Sequence, residues 1–304
     1  MSNIYKLIII GSGPAGYTAG IYSARAELKP IIFSGPNSGG QLMNTSIIEN
    51  WPGNKEGILG PQLMMNMREQ AVKFGAKIID ETVGKVDFSG EPFKVNNLET
   101  ETVIIATGAE SIRLHIPGED QLFGRGVAVC AVCDAPFYKN KTVAVLGGGD
   151  SACEDALTLT KFAKKVYLVH RRDQLRASRI MSQRVKNNPK IEILWNSAVT
   201  EILGENRVEA VKINNEKEIK LEGVFLALGH RPASDLFKGK IQLNERGYIM
   251  TNFQFSKSNF QTMTSVEGVF AAGDVVDYRY QQAITAAGMG CQAALDAEKY
   301  LTNE

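Results

Sequence analysis

The sequence predicts an α/β protein of two three-layer domains, the second inserted into the first. Three observations predict it. An apolar strand runs into a glycine-rich turn and a small-residue helix near the start of the chain, and the same plan returns at residue 141. Two further apolar strands, Val103-Ile104-Ile105-Ala106-Thr107-Gly108 and Val224-Phe225-Leu226-Ala227-Leu228-Gly229, share one ending: a small residue, one more residue, then glycine. The C-terminal stretch adds a strand and a long helix but no third glycine turn, so it most simply completes the first domain. The expected boundaries are 1–111 and 243–304 for the first domain and 112–242 for the inserted one.

Each element has a local reason. Residues 5–10 are a short apolar run bounded by glycine, as suits a buried parallel strand. Gly11-Ser12-Gly13-Pro14-Ala15-Gly16 turns into a helix carrying Ala19, Gly20, Ser23 and Ala24, and residues 30–33 form the second strand. Residues 141–146, the turn Gly147-Gly148-Gly149-Asp150-Ser151-Ala152, a helix to about Ala163 and a strand over 165–169 repeat that order. Pro117 follows the first glycine-ended strand and Pro232 the second, each in a polar stretch suited to an interdomain crossing. A strand over 268–272 then meets Gly273-Asp274, and a helix runs from about Gln282 to Leu301.

Gly11-x-Gly13-x-x-Gly16 has the logic of a Rossmann-like dinucleotide turn. The first glycine permits the tight turn, the second admits a pyrophosphate, and the third lets helix and strand pack closely. The second strand ends at Ser34-Gly35 with no acidic residue for a ribose, so the backbone between Ser34 and Gln41 is the candidate holder. In the second turn Ala152 takes the packing position, and its second strand ends His170-Arg171-Arg172. Arg176 and Arg179 would share a face with Arg172 if that segment were helical. A planar guanidinium suits a phosphate dianion, so this turn is expected to take NADPH rather than NADH.

Cys130 and Cys133 bracket two small apolar residues shortly before the second turn, and Asp134 follows. Cys-x-x-Cys alone is compatible with a redox pair, half a zinc site or chance. Zinc would need two more ligands, and His115, His170 and His230 show no metal spacing. Between two nucleotide turns the pair reads as a dithiol with an electron supply, with Asp134 a proton donor or acceptor if desolvated. Cys153 and Cys291 stand alone and are expected to be small buried hydrophobes. Gly39-Gly40-Gln41-Leu42 and Asn50-Trp51-Pro52-Gly53 are loops that allow close backbone approach or simple turns.

At 304 residues, 44% apolar and 22% charged, with a net charge of +1, the chain is an ordinary globular one. No bulk field points to nucleic acid or a membrane surface. The opening run reaches Gly11 too soon for a signal-peptide core, no apolar stretch approaches a membrane span, and the expected location is cytoplasmic.

These segments together resemble the low-molecular-weight thioredoxin reductases. The likeness is carried by IIIGSGPAGYTAGIYSARA, GGQL, IENWPG, IIATGA, IPGE, CAVCD, GGGDSACEDALTLTKFA, VHRRDQLRAS, ALGHRP, VFAAGDV and QAITAAGMGCQAALDAEKYL. The resemblance implies FAD in the first domain, on Gly11, Ser12, Gly13, Pro14, Ala15, Gly16, Ser34, Gly35, Gly39, Gly40, Gln41, Leu42, Asn50, Ala106, Thr107, Gly108, Gly273, Asp274, Gln282 and Ala283. It implies NADPH in the second, on Gly147, Gly148, Gly149, Asp150, Ser151, Ala152, His170, Arg171, Arg172 and Arg176. It further implies that Cys130 attacks a thioredoxin disulfide, Cys133 faces the flavin and Asp134 is the general acid, in a homodimer whose nucleotide domain swivels. The matching length counts against the longer hydroperoxide-reductase flavoproteins.

Other readings differ in how many of these residues they need. A reductase of another thioredoxin-like protein or of a low-molecular-weight disulfide keeps all of them. An oxygen-dependent disulfide-forming oxidase would not need the arginines, a ferredoxin reductase would lack the dithiol, and a nucleotide sensor would need neither cysteine. Three departures stand out: Ala135-Pro136 where the family has glycine after the Asp, Gln281 where it usually has arginine, and a compact stretch between Phe93 and Val103.

Overall fold

The computed structural model describes residues 4–45, 47–252 and 259–302. The chain divides into two compact units: one holds the chain up to Glu110 and from Arg231 onward, the other is Ser111–His230. The sequence placed the return crossing at 242. The compact unit closes earlier because Phe237, Ile241 and Ile249 are buried in the first unit's core.

In the first unit, parallel strands lie in the order Lys77–Ile79, Ile31–Phe33, Ile4–Ile10, Leu98–Ile105, Val269–Ala271. Leu98–Ile105 is long enough to serve two neighbours on one edge. Its start pairs antiparallel with Phe93–Val95, and its end pairs with Val269–Ala271. Asn96, in the left-handed region, turns that hairpin in two residues, which accounts for the compactness of this stretch. Leu7, Ile8 and Ile9 are wholly buried, as expected for a strand covered on both faces.

Helix Pro14–Arg25 packs against the C-terminal helix Ala283–Thr302 through small residues. A Cβ on Gly290 would stand 2.1 Å from the Ala15 carbonyl oxygen, so glycine sets the helix separation there. Met64 and Met67 of helix Gly60–Lys73 join the core, whereas Met65 is exposed.

The second unit has five parallel strands in the order Val127–Ala128, Gly223–Leu226, Thr142–Leu146, Lys165–Val169, Ile191–Leu194. A three-stranded antiparallel sheet, Val199–Leu203, Ala210–Ile213 and Lys217–Lys220, follows the last of the strand–helix repeats. The two glycine-ended strands occupy matching places, each parallel to the strand that feeds its own glycine turn. The expected α/β class with a duplicated Rossmann-like plan is what the fold shows. Among the described residues no helix is long and apolar enough to cross a membrane.

Candidate active site

In the second unit, edge strand Val127–Ala128 leads within two residues into Cys130, which forms a disulfide with Cys133, Cα–Cα 5.3 Å. The cysteines flank the one-turn helix Ala131–Asp134. Cys130 caps it, and its Sγ accepts the Cys133 backbone N–H at 3.2 Å. Ala131 and Ala135 are buried in a core shared with Ala152, Cys153 and Ala156, which leaves the disulfide at the surface side of the turn. Val132 is 62% and Phe137 40% exposed, so apolar side chains flank the sulfurs.

Burial pushes the Asp134 carboxyl up to about 6. Ala135 lies at φ −52°, in the right-handed region, so the change from glycine introduces no strain there. Pro136 opens the short 3₁₀ turn Ala135–Tyr138 in its preferred early position.

The second glycine turn begins helix Asp150–Leu159 without a side-chain cap. A Cβ on Gly149 would meet nothing within 4 Å, so this rim is open to a ligand, whereas one on Gly148 would strike the His170 ring at 2.2 Å. Ala152 is wholly buried, as its packing position requires. Residues 171–178 are not helical: the helix starts only at Arg179, capped by Ser178. The shared helical face for Arg172, Arg176 and Arg179 is therefore not formed.

The loop is instead tied to the turn itself. Arg176 and Ala177 donate backbone N–H groups to the Gly148 carbonyl at 2.7 and 3.1 Å. Ser178 N–H donates to Asp150 Oδ1 at 2.9 Å, and His170 Nε2 lies 3.0 Å from the Gln174 carbonyl oxygen. Arg171, Arg172 and Arg176 are exposed, and among the described residues none has a carboxylate partner. Ser151 is exposed on the first turn of the helix. An open glycine rim, free helix N–H groups and three unpaired cations fit a phosphorylated dinucleotide.

In the first unit, Gly13 begins helix Pro14–Arg25, again without a side-chain cap. A Cβ on Gly13 would meet nothing within 4 Å, and one on Gly40 would come within 3.4 Å of the Gly13 Cα, so the two glycines border one open cradle. Gly16 faces the Gly11 carbonyl oxygen, which a Cβ would meet at 2.0 Å. Gly11 in turn abuts Ala106, whose N–H donates to the Ile10 carbonyl at 2.8 Å.

Other expected residues converge on this end of the sheet. Gln41 Nε2 donates to the Ala109 carbonyl, Thr107 Oγ1 to the Ala233 carbonyl at 2.7 Å, and Ala233 N–H to Gly108. Asn50 Nδ2 reaches Gln282 Oε1 at 3.5 Å, and Ala283 opens the C-terminal helix. Leu42 differs: its side chain packs against the core.

Gly273 lies against Ala15 at φ +80°. Asp274 follows it with Oδ1 buried and, among the described residues, unpartnered, and burial together with Asp277 pushes this carboxyl up to about 7. A buried, unpartnered acceptor next to Gly273, which abuts Ala15 of the fingerprint helix, fits the hydroxyl-rich chain of a flavin dinucleotide. Gln281, at φ +48°, donates its N–H to Asp277 Oδ2 at 3.1 Å and its Nε2 to the Tyr248 hydroxyl at 3.4 Å.

One network leaves no local signal in the chain. Ser34 Oγ donates to Asp80 at 2.7 Å, and Arg68 holds both Asp80 oxygens at 2.8 and 2.7 Å. The Arg68 hydrogen bonds, then that from Ser34, hold the Asp80 carboxyl down at about 2. Strand pairing brings Ser34 and Asp80 together, and Arg68 joins them from helix Gly60–Lys73. Cys153 is buried as expected, and burial raises its thiol to about 11, but Cys291 is only half-buried.

Residues 5–290 match the family model for pyridine nucleotide-disulphide oxidoreductases. The chain belongs to this family. It is 52% identical to a thioredoxin reductase of Chlamydia pneumoniae, over 97% of this chain and 98% of that protein. To a thioredoxin reductase of Streptomyces coelicolor it is 48% identical, over 99% and 95%. Among solved structures, a thioredoxin reductase from Giardia duodenalis superposes with a TM-score of 0.92 at 42% identity, covering 99% of this chain and all of that one. The family resemblance read in the sequence holds, and FAD and NADPH are the cofactors of the thioredoxin reductases within this family.

Proposed function

We propose that this chain is an NADPH-dependent thioredoxin-disulfide reductase acting through Cys130 and Cys133. The observation that carries the reading is the disulfide itself, held on a one-turn helix beside an open nucleotide turn and flanked by exposed Val132 and Phe137. When bound, NADPH in the second unit and FAD in the first supply hydride transfer and two-electron storage. Gly147–Ala152 with Arg171, Arg172 and Arg176 would hold the former. Gly11–Gly16, Ser34–Gln41, Asn50, Asp274 and Gln282 would hold the latter.

The remaining chemistry belongs to this chain's sulfurs. Two electrons open the Cys130–Cys133 bond to two thiols. The Cys130 thiolate attacks the partner disulfide and forms a mixed disulfide. Cys133 then attacks Cys130 Sγ, releasing the partner as a dithiol and restoring the internal bond. The sum is NADPH, a proton and a disulfide giving NADP⁺ and a dithiol.

Asp134, carrying a proton below about pH 6, is placed to supply it to the departing thiolate. Rates limited by this step should fall as pH rises through 6. Asp134→Asn should flatten that inflection and slow turnover on the order of a hundredfold. Measuring NADPH-driven thioredoxin reduction from pH 5 to 8 checks this, and an unchanged profile removes Asp134 from the role.

A homodimer is part of the same reading, supported by the outward row Ile284, Gly288, Cys291 and Leu295 on the C-terminal helix beside exposed Tyr22. So is a cytoplasmic location, which suits the free thiols of Cys153 and Cys291. NADPH oxidation with a panel of disulfides tests the acceptor. Thioredoxin should be turned over well ahead of glutathione disulfide and cystine, and preference for a small disulfide would overturn the assignment.

A further inference from the structure

In a dinucleotide turn, the carboxylate ending the second strand ordinarily holds the adenosine ribose. Here that strand ends in Ser34, and the nearest carboxylate stands one strand further out. Ile31–Phe33 pairs in register with Lys77–Ile79, Phe33 opposite Ile79, which sets Ser34 beside Asp80. Ser34 donates its N–H to the Ile79 carbonyl at 3.0 Å and its hydroxyl to Asp80 Oδ1 at 2.7 Å.

Arg68, from helix Gly60–Lys73, completes the arrangement. Its Nη1 and Nη2 grip the two Asp80 oxygens, and Nη1 also donates to Ser38 Oγ at 3.0 Å. Ser38 Oγ lies 3.0 Å from the hydroxyl of Tyr17 on the fingerprint helix. From the other side, Ser12 Oγ donates to the Ser34 carbonyl at 2.8 Å and accepts the Gly39 N–H at 3.0 Å. The loop from Ser34 to Gly39 is therefore pinned at both ends, while a Cβ on Gly35 between them would meet nothing within 4 Å.

The Arg68 and Asp80 side chains are 33% and 59% exposed, and an ion pair so solvated adds little to stability. Its geometry is nonetheless specific: one planar fork serves a carboxylate and a loop hydroxyl together, which a lysine, a single point charge, reproduces only in part. That combination points to ordering of the loop rather than to holding the fold.

We propose that Arg68 and Asp80 are positioning residues for the adenosine half of FAD, the displaced carboxylate shaping the Ser34–Gly39 loop from behind instead of touching the sugar. This rests on the flavin reading of the first unit. The consequence is a tighter hold on FAD without any effect on the chemistry at the disulfide.

The test follows FAD release from the holoenzyme after dilution into flavin-free buffer, read as the rise in flavin fluorescence. Arg68→Met and Asp80→Asn should each release FAD about tenfold faster. The double variant should be no faster than the faster single one, as for groups acting as a unit. Arg68→Lys should recover part of the loss, and the absorption spectrum of the flavin still bound and the KM for NADPH should not move. Release at the wild-type rate in both single variants, or Arg68→Lys indistinguishable from Arg68→Met, overturns the proposal. A wild-type protein that purifies without FAD overturns the flavin reading itself, and the positioning role with it.

Discussion

Replacing Cys133 by serine is expected to abolish turnover of thioredoxin and to leave the partner covalently attached to Cys130. Resolution of the mixed disulfide needs a second thiolate, and the remaining free cysteines do not meet that need. Cys153 is wholly buried with its thiol raised to about 11, and Cys291 belongs to the other unit. Cys130→Ser should abolish turnover equally but trap nothing, because the attacking sulfur is gone. In both variants steady-state thioredoxin reduction should drop by on the order of a thousandfold or more, toward the uncatalysed level.

Bleaching of the flavin by NADPH should survive in both, since neither substitution touches either nucleotide turn. Non-reducing electrophoresis after mixing with oxidised thioredoxin separates the two roles. An adduct with Cys130→Ser and none with Cys133→Ser would reverse them, and retained turnover in either variant would end the dithiol mechanism.

The second large effect concerns the choice of nucleotide. Arg171 and Arg172 are exposed beside an open glycine rim, and among the described residues neither forms an ion pair with a carboxylate, which leaves both free to favour a phosphate over a ribose hydroxyl. A hydrogen bond to a charged group contributes about 1.5–3 kcal/mol, so each arginine should account for roughly ten- to a hundredfold in NADPH affinity. The Arg171→Ala/Arg172→Ala double variant should therefore raise the KM for NADPH by on the order of a thousandfold, with the NADH rate almost unchanged. Anaerobic flavin reduction at varied nucleotide concentration checks this. Equal loss with both nucleotides would mean that the arginines hold the loop rather than read the phosphate.

Much of this was legible in the chain because its signals are local. A run such as Ile8-Ile9-Ile10 ahead of Gly11 declares a buried strand and a tight turn within a few residues, and the same holds at Thr142–Leu146 and Gly147. Cys130, Cys133 and Asp134 are adjacent in sequence and stay adjacent in space. What escaped depends on distant pairing. Asp80 meets Ser34 only because their strands align, and Arg68 reaches Asp80 and Ser38 from a helix whose polar face looks like any other solvated one.

The arginine segment misled for a different reason. Spacings of four and seven residues suit a helix, yet the Gly148 carbonyl draws the backbone N–H groups of Arg176 and Ala177 to itself. The compact unit closes at His230 rather than at 242 because the polar stretch after Pro232 carries Phe237 and Ile241, two apolar residues buried in the first unit's core.

The two sheets share one strand order but recruit their fifth member from opposite ends of the chain. In the first unit it is Val269–Ala271, after the insertion; in the second it is Val127–Ala128, ahead of the glycine turn. The inserted unit is thus a circular permutation of its host's plan and borrows no strand from it to fill its sheet. Its two connections, Ala109–Ser111 and His230–Pro232, pair with each other, so the chain leaves and re-enters the host at one place. Ser111–His230 thus carries its own core, every strand of its own parallel sheet and the Cys130–Cys133 bond within one continuous stretch of chain, whereas its host is completed only after that stretch has been made.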